Sequence, residues 1–398
     1  MRSRSLVLVL CAALSLVWLG ACKKSLTPPA EEDVLDGPLS ELSQPELAQF
    51  FRGDVAFNEV FTAASGLGPI FVASSCAGCH AGDGKGHLST QLTRFGQRDS
   101  SGNQFLHLGG PQLQNRALPG FRPEEIPLGA SFSRLTAPAI TGLGYLAYVS
   151  DADLLANADP YDANGDGISG VPNWIHLPSY VQSSTDAVSR NGRYIGRFGK
   201  KASAYNLLHQ TVNAYNQDMG IASAFAPKDV TTGNDIEPEV SLKSIQDLVF
   251  YLHTLKVPLQ RNAEDGEVQA GKNIFRQLAC NACHKEEFKT GYAPVAALSN
   301  KVFYPYSDFL LHDMGPGLDD GYTEGTASTA EWRTPALWGL GLSANSQGGN
   351  YFLMHDGRAR SIEDAILLHG GEGEKSKNLF SALSAADKTA LIKFLESL

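Results

Sequence analysis

The sequence predicts a mainly α-helical chain of two helical domains, the first enlarged by a loop-rich insertion. Three observations predict it. The pentapeptide pattern Cys-x-x-Cys-His occurs twice, as Cys76-Ala77-Gly78-Cys79-His80 and as Cys280-Asn281-Ala282-Cys283-His284. An apolar helical stripe also occurs twice, since Leu248, Tyr251, Leu252 and Leu255 share their spacing with Leu391, Phe394, Leu395 and Leu398. The 398 residues suffice for two cores. With 19% charged and 43% apolar residues the composition is that of a folded chain and excludes a disordered one.

The pentapeptides carry the chemistry. Two thiols at this spacing, with a histidine after the second, form the attachment site of a c-type haem. The thiols bond the porphyrin vinyl groups, and the imidazole becomes the proximal iron ligand. Phe71 and Phe275 each stand five residues before their first cysteine. A zinc ribbon would need its second Cys-x-x-Cys within a few dozen residues, whereas these lie 204 apart (280 − 76). A redox Cys-x-x-Cys needs no following histidine, yet both copies have one. Two covalently bound haem c groups are therefore expected, on Cys76, Cys79 and His80 and on Cys280, Cys283 and His284.

From the N-terminus, Arg2 and Arg4 precede an apolar run from Leu6 to Leu19 and the tetrapeptide Leu19-Gly20-Ala21-Cys22. That order reads as a signal peptide over 1–21. It resembles a bacterial lipobox, in which Cys22 is lipidated and becomes the first residue. The expected location is the bacterial cell envelope, facing the periplasm, with the lipid anchor as the only membrane contact. Loss of Arg2 and Arg4 takes the formal charge from −10 to −12, so nucleic acid is not an expected partner. Residues 22–49, with Pro28-Pro29 followed by Glu31, Glu32 and Asp33, read as a flexible tether.

The first domain is expected over 50–260 and the second over 261–398. The step from Leu248 to Leu391, between the closing stripes, is much shorter than the step from Cys76 to Cys280, between the pentapeptides. The first domain therefore holds extra chain before its last helix. This insertion includes Asp162-x-Asn164-x-Asp166-Gly167, which matches the first half of a calcium loop but lacks its closing glutamate, Asn173 standing there instead. A plain turn rich in Asp, Asn and Gly explains the same residues. Both readings stay open.

Each iron needs a sixth ligand or an open face. His369 stands out among the histidines. Ser361 and Asp364 suit a capping box and Gly370-Gly371 a helix stop. Between them Ile362, Ala365, Ile366 and His369 fall on one apolar face.

With these residues in view, the sequence resembles the bacterial di-haem cytochrome c peroxidase and MauG superfamily. It is most similar to the di-haem oxidoreductase branch, also labelled thiol oxidoreductase. The resemblance rests on Gly68-Pro69, both pentapeptides, Asp162–Gly170, Gly196-Arg197-Phe198-Gly199 and Asp218-Met219-Gly220. It continues through Leu311-His312-Asp313-Met314-Gly315, Glu331-Trp332-Arg333-Thr334-Pro335, His355-Asp356-Gly357-Arg358 and His369-Gly370-Gly371-Glu372. It implies two cytochrome c-like domains with a haem in each. It also implies a distal ligand to the second haem fourteen residues after His355, where the peroxidases have methionine and this chain has His369. Over the open face of the first haem the peroxidases place a glutamine and, ten residues later, a glutamate. Gln114 and Glu124 keep that interval, with Gln112 and Glu125 close by.

The resemblance implies reduction of hydrogen peroxide at the first haem, with Glu124 as acid–base and Gln114 orienting the bound oxygen. Electrons would pass through the second haem from a small donor protein, a cytochrome or cupredoxin. The alternatives are a non-catalytic electron-transfer cytochrome and a haem-dependent oxidase of a protein or thiol substrate.

Overall fold

Two helix pairs, each locked through a glycine, organise the structure, a computed structural model that describes residues 30, 34–97, 103–108 and 110–398. The leader with Cys22, and residues 22–29 and 31–33 of the stretch read as a tether, lie outside the described residues. Five helices matter here: α1 (Gln44–Asn58), α2 (Leu242–Thr254), α3 (Gly266–Gln277), α4 (Ile362–Leu367) and α5 (Ala385–Ser397). Helix α1 packs on α2, and α3 on α5.

The two pairings use the same device. A Cβ on Gly53 of α1 would sit 2.2 Å from Asp247 O, and one on Gly271 of α3 would sit 2.0 Å from Ala390 O. Only glycine lets the backbones come this close. Four residues past each glycine stands an aromatic ring, Phe57 or Phe275, against Tyr251 in the first pair and Phe394 in the second. Both closing stripes are buried, with Leu248, Tyr251, Leu391 and Phe394 at most 2% exposed.

This duplication revises the N-terminal reading. Helix α1 begins at Gln44, inside the stretch assigned to the tether, because Ser43 and Glu46 exchange capping bonds and a proline occupies the first turn. The counterpart of Phe275 is therefore Phe57. Phe71 lies instead in a short strand, β1 (Ile70–Phe71), paired with β3 (Arg116–Ala117). The step from Gly53 to Gly271 is longer than the step from Cys76 to Cys280, so α1 stands further from its pentapeptide than α3 does from the second.

The expectation of a mainly α chain is corrected. Among the described residues the architecture is mixed, 33% helix and 12% strand, and the strands form five small antiparallel sheets. The longest ladder joins β2 (Leu92–Gly96) to β4 (Ser131–Leu135), between the first pentapeptide and α2. These strands are two to five residues long, too short to bury a face alone, and they serve to hold loops around the sites.

Leu35–Leu398 forms one compact unit with two main apolar cores. The first gathers α1 and α2 residues such as Phe50 and Tyr251, and the second gathers Phe275, Phe380 and Phe394. The cores do not divide cleanly at the chain midpoint. Phe288, Phe303, Phe309 and Trp338 come from the second half but bury in the first core.

Candidate functional site

Both pentapeptides present their histidine in the same way. The His80 ring lies 6.1 Å from Phe57 at 55°, and His284 lies 6.3 Å from Phe275 at 57°. Nδ1–H of His80 donates to Pro138 O at 2.8 Å, and that of His284 to Tyr306 O at 2.8 Å. A carbonyl can only accept, so Nδ1 carries the proton and Nε2 keeps its lone pair, the arrangement an iron-bound imidazole needs. Burial pushes both histidines down to about 4, so they are neutral at pH 7.

The four cysteines form no disulfide. Burial pushes the thiols of Cys76 and Cys280 up to about 12 and that of Cys79 up to about 11. Free thiols so held are poor thiolates, which disfavours thiol–disulfide exchange.

The second pentapeptide opens into a cavity of about 240 Å³, where roughly 10–15 Å³ is enough for one water. Its walls are mainly apolar, and Cys280, Cys283, His284 and His369 all line it. Helix α4 places His369 there. Ser361 Oγ accepts from Asp364 N–H at the N-terminus, while the Asp364 carboxylate caps Arg360 N–H and not Ser361, so the box is half formed. His369 follows the last turn, and its Nδ1–H donates to Ala365 O at 2.7 Å. Its Nε2 is therefore available, and burial lowers its pKa. His253 makes a similar backbone bond, but its ring packs on Tyr148, away from both pentapeptides. A mainly apolar cavity lined by two thiols and by imidazoles from two segments fits a haem.

His312 also lines the cavity but has no nitrogen to spare. Nε2 bonds Asp308 at 2.8 Å and Nδ1 bonds Glu372 at 2.6 Å. Burial opposes its protonation, yet the bonds to Asp308, Cys283 and Glu372 outweigh that and push it up to about 12. It is an imidazolium clamped by carboxylates, and the grouping of Cys283, Asp308 and His312 at metal-ligand spacing is explained by that clamp. Glu372 also accepts from Ser169 N–H and Oγ–H, so three of the quoted motifs meet at this point.

Replacing His312 with glutamine should lower unfolding stability by about 3–5 kcal/mol, because it leaves Asp308 buried without its cation. The folded pKa is raised, so the contribution is complete below the unfolded value near 6.5 and is lost as pH rises towards about 12. The gap in melting temperature between wild type and variant should therefore narrow between about pH 6 and about pH 9.

The structure brings Gln114 and Glu124 together. The Glu124 carboxylate accepts from Gln114 N–H at 2.7 Å and Gly110 N–H at 3.3 Å. Burial raises its pKa, while those two bonds oppose the rise. Glu125, by contrast, is exposed. Gln114 Nε2 donates to Asn216 O. Two residues on, the half-buried Asp218 exerts its charge on both Cys76 and Cys79. Burial pushes Asp218 up to about 6 against the pull of Arg94. Gln112 is 2% exposed and its Nε2 has no partner, and Arg94 Nε is likewise unpaired. Asp218 was visible in the motif Asp218-Met219-Gly220. Arg94 carried no sequence signal, because only the β2–β4 ladder brings it here.

In the loop read as a half calcium site, the side chains face the backbone of the loop itself. Asp162 accepts from Gly167 N–H, Asn164 from Asp166 N–H and Asp166 from Ile168 N–H. Of the methionines, Met219 is buried in the first core, while Met314 and Met354 line the cavity of the second site. His355, which also lines that cavity, stacks on Trp332 at 3.7 Å and 8°.

A family model described as di-haem oxidoreductase, putative peroxidase, matches residues 126–398. No curated protein matches. Among solved structures, hydrazine synthase of Kuenenia stuttgartiensis is 15% identical, over 92% of this chain and 94% of its own, with a TM-score of 0.37. The diheme peroxidase BthA of Burkholderia thailandensis is 17% identical, over 88% and 86%, with a TM-score of 0.42. A MauG-like protein associated with microbial copper homeostasis is 15% identical, over 65% and 89%, with a TM-score of 0.32. All three are distant likenesses.

Proposed function

The chain belongs to the di-haem oxidoreductase family, and from that membership we propose that it reduces hydrogen peroxide at its first haem with electrons relayed through the second. The observation that supports this division of labour is the asymmetry between the sites. His284 shares its cavity with a second available imidazole, that of His369, whereas polar and acidic groups, Gln114, Glu124 and Asp218, gather beside the first pentapeptide. His284 and His369 would both hold the iron of the second haem, while Gln114, Glu124 and Asp218 would bind and protonate a small molecule at the first.

The two haems, bound through Cys76, Cys79 and His80 and through Cys280, Cys283 and His284, supply the redox chemistry. Peroxide, two electrons and two protons give two waters, so protons must reach the first site. Glu124 suits that task, since burial raises its pKa and favours its protonated form. Asp218, pushed up to about 6, is a second proton store on the same side. Gln114 is held by Asn216 O and by its own peptide N–H to Glu124, which fixes the pair relative to one another. The electron donor is a small cytochrome or cupredoxin, as a family of this chemistry implies. An optical spectrum and a peroxide titration of holoprotein matured with haem test the reading. One high-spin and one low-spin haem, with stoichiometric reoxidation by peroxide, is the expected result. Two low-spin haems inert to peroxide after reduction would leave electron transfer as the function.

The proposed location is the periplasmic face of a membrane, through a lipid on Cys22. Among the described residues no helix is long and apolar enough to cross a membrane. Stable anchoring takes more than one acyl chain, each buried methylene contributing about 0.8 kcal/mol. Cys22→Ala should release the protein from membranes or block its processing. Unchanged membrane partition and mature mass would end the hypothesis.

A further inference from the structure

Three cations converge on the second cavity without an anion of their own. Lys85, Lys200 and Arg333 all line it, and they come from three distant segments. Lys85 Nζ makes no hydrogen bond or ion pair among the described residues. Lys200 Nζ reaches only Met354 O, at 3.5 Å, which is a poor bond. Arg333 bonds backbone carbonyls alone, Gly199 O at 3.0 Å and Thr334 O at 3.3 Å.

Carboxylates in range are already engaged. Asp356, which acts on Lys200, is held by Arg358 Nε at 3.0 and 2.8 Å. Asp308, which acts on Arg333, is held by His312. Burial lowers the pKa of all three cations, and Lys85 and Arg333 add their repulsion to Lys200.

Other buried or half-buried cations of the chain do meet carboxylates. Arg197 meets Asp151 at 2.6 Å, Arg94 meets Glu324 at 2.9 Å, and Lys201 lies 3.8 Å from Asp320 and bonds three carbonyls. Enclosed charges that repel one another are costly unless a counter-charge joins them. The missing partner must be anionic, must enter an otherwise apolar slot, and must lie within reach of a ring fixed at Cys280 and Cys283.

The propionates of a porphyrin meet all three conditions. We propose that Lys85, Lys200 and Arg333 form a carboxylate cradle for the propionates of the haem attached at Cys280, Cys283 and His284. The inference rests on the two-haem reading but not on peroxide as substrate. Lys200 also exerts its charge on His80, so the cradle lies within electrostatic reach of both haem sites. The cations offset the propionate charge and so favour the reduced haem, which carries one positive charge fewer than the oxidised one.

The test uses holoprotein carrying Lys85→Met, Lys200→Met or Arg333→Met, with Lys85→Arg, Lys200→Arg and Arg333→Lys as charge-keeping partners. Lys228→Met, at an exposed ion pair, is the control. Haem content, measured first, must be two; a wild-type content below two sinks the two-haem reading itself. Optical redox titration then follows each haem. Each methionine variant should move the second haem's reduction equilibrium towards the oxidised form by about tenfold, about 59 mV for one electron, with the charge-keeping variants largely restoring it. Glutamine variants serve where a methionine variant fails to mature, with the same expected direction. Unchanged potentials at full haem content, or a shift confined to the haem at His80, would overturn the assignment.

Discussion

Replacing His369 with glycine should convert one haem from low-spin to high-spin while leaving haem content at two. The expectation follows from where α4 ends. Nδ1 is tied to Ala365 O at 2.7 Å, so Nε2 alone faces the cavity shared with His284. The two imidazoles are close enough that the charge of His369 acts on His284. Glycine removes the ligand without touching the thioethers or the His284–Tyr306 bond, so attachment should survive. Ligation by two histidines also lowers the potential relative to His/Met, and the variant's potential should rise as that donor is lost. An unchanged spectrum would move the ligand elsewhere. His312 cannot take its place, because Asp308 and Glu372 occupy both its nitrogens. Met314 and Met354, which line the same cavity, would be next in line.

Replacing Glu124 with glutamine should cut peroxide turnover roughly 10²–10⁴-fold, the usual contribution of a positioned acid–base. Glutamine keeps the size and can still accept from the N–H groups of Gln114 and Gly110, so the loop should hold its shape. What it cannot do is hold and release a proton at neutral pH. The spectra of both haems should stay as in wild type, which separates loss of proton transfer from loss of a site. Glu125→Gln is the control, since that side chain is exposed and should leave turnover unchanged. Wild-type turnover in both variants would remove Glu124 from the mechanism and turn attention to Asp218, the other half-buried acid on that side.

Sequence reasoning reached the parts of this protein that repeat. The closing stripes and the pentapeptides announce themselves by spacing, and His369 by its place on a short apolar helix. Spacing alone did not show which ring stands beside His80. The interval of Phe71 to Cys76 copies that of Phe275 to Cys280, yet the ring beside His80 is Phe57, and only the fold reveals the extra chain between α1 and the first pentapeptide. Ser43 and Glu46 could have shown that α1 starts within the tether, but the prolines and acids just before them argued for an unstructured stretch. The short strands were not legible because they hold too few residues for alternation to register. Lys85, Lys200 and Arg333 carry no common motif, and their convergence is a property of tertiary structure alone.

The glycine contacts between helices also bear on how the chain finds its fold. In the first half the contact joins Gly53 to Asp247, and in the second it joins Gly271 to Ala390 across a much shorter loop. Closing the longer loop costs only about 0.4 kcal/mol more, since the entropy grows with the logarithm of length. That small difference is why the first half can carry a long insertion and still be fastened by the same clasp. The order of events is affected more than the balance of energies. A contact so distant in sequence forms slowly, and during synthesis Asp247 emerges long after Cys76 and Cys79. The first pentapeptide therefore precedes, in order of synthesis, the helix that completes the clasp beside it.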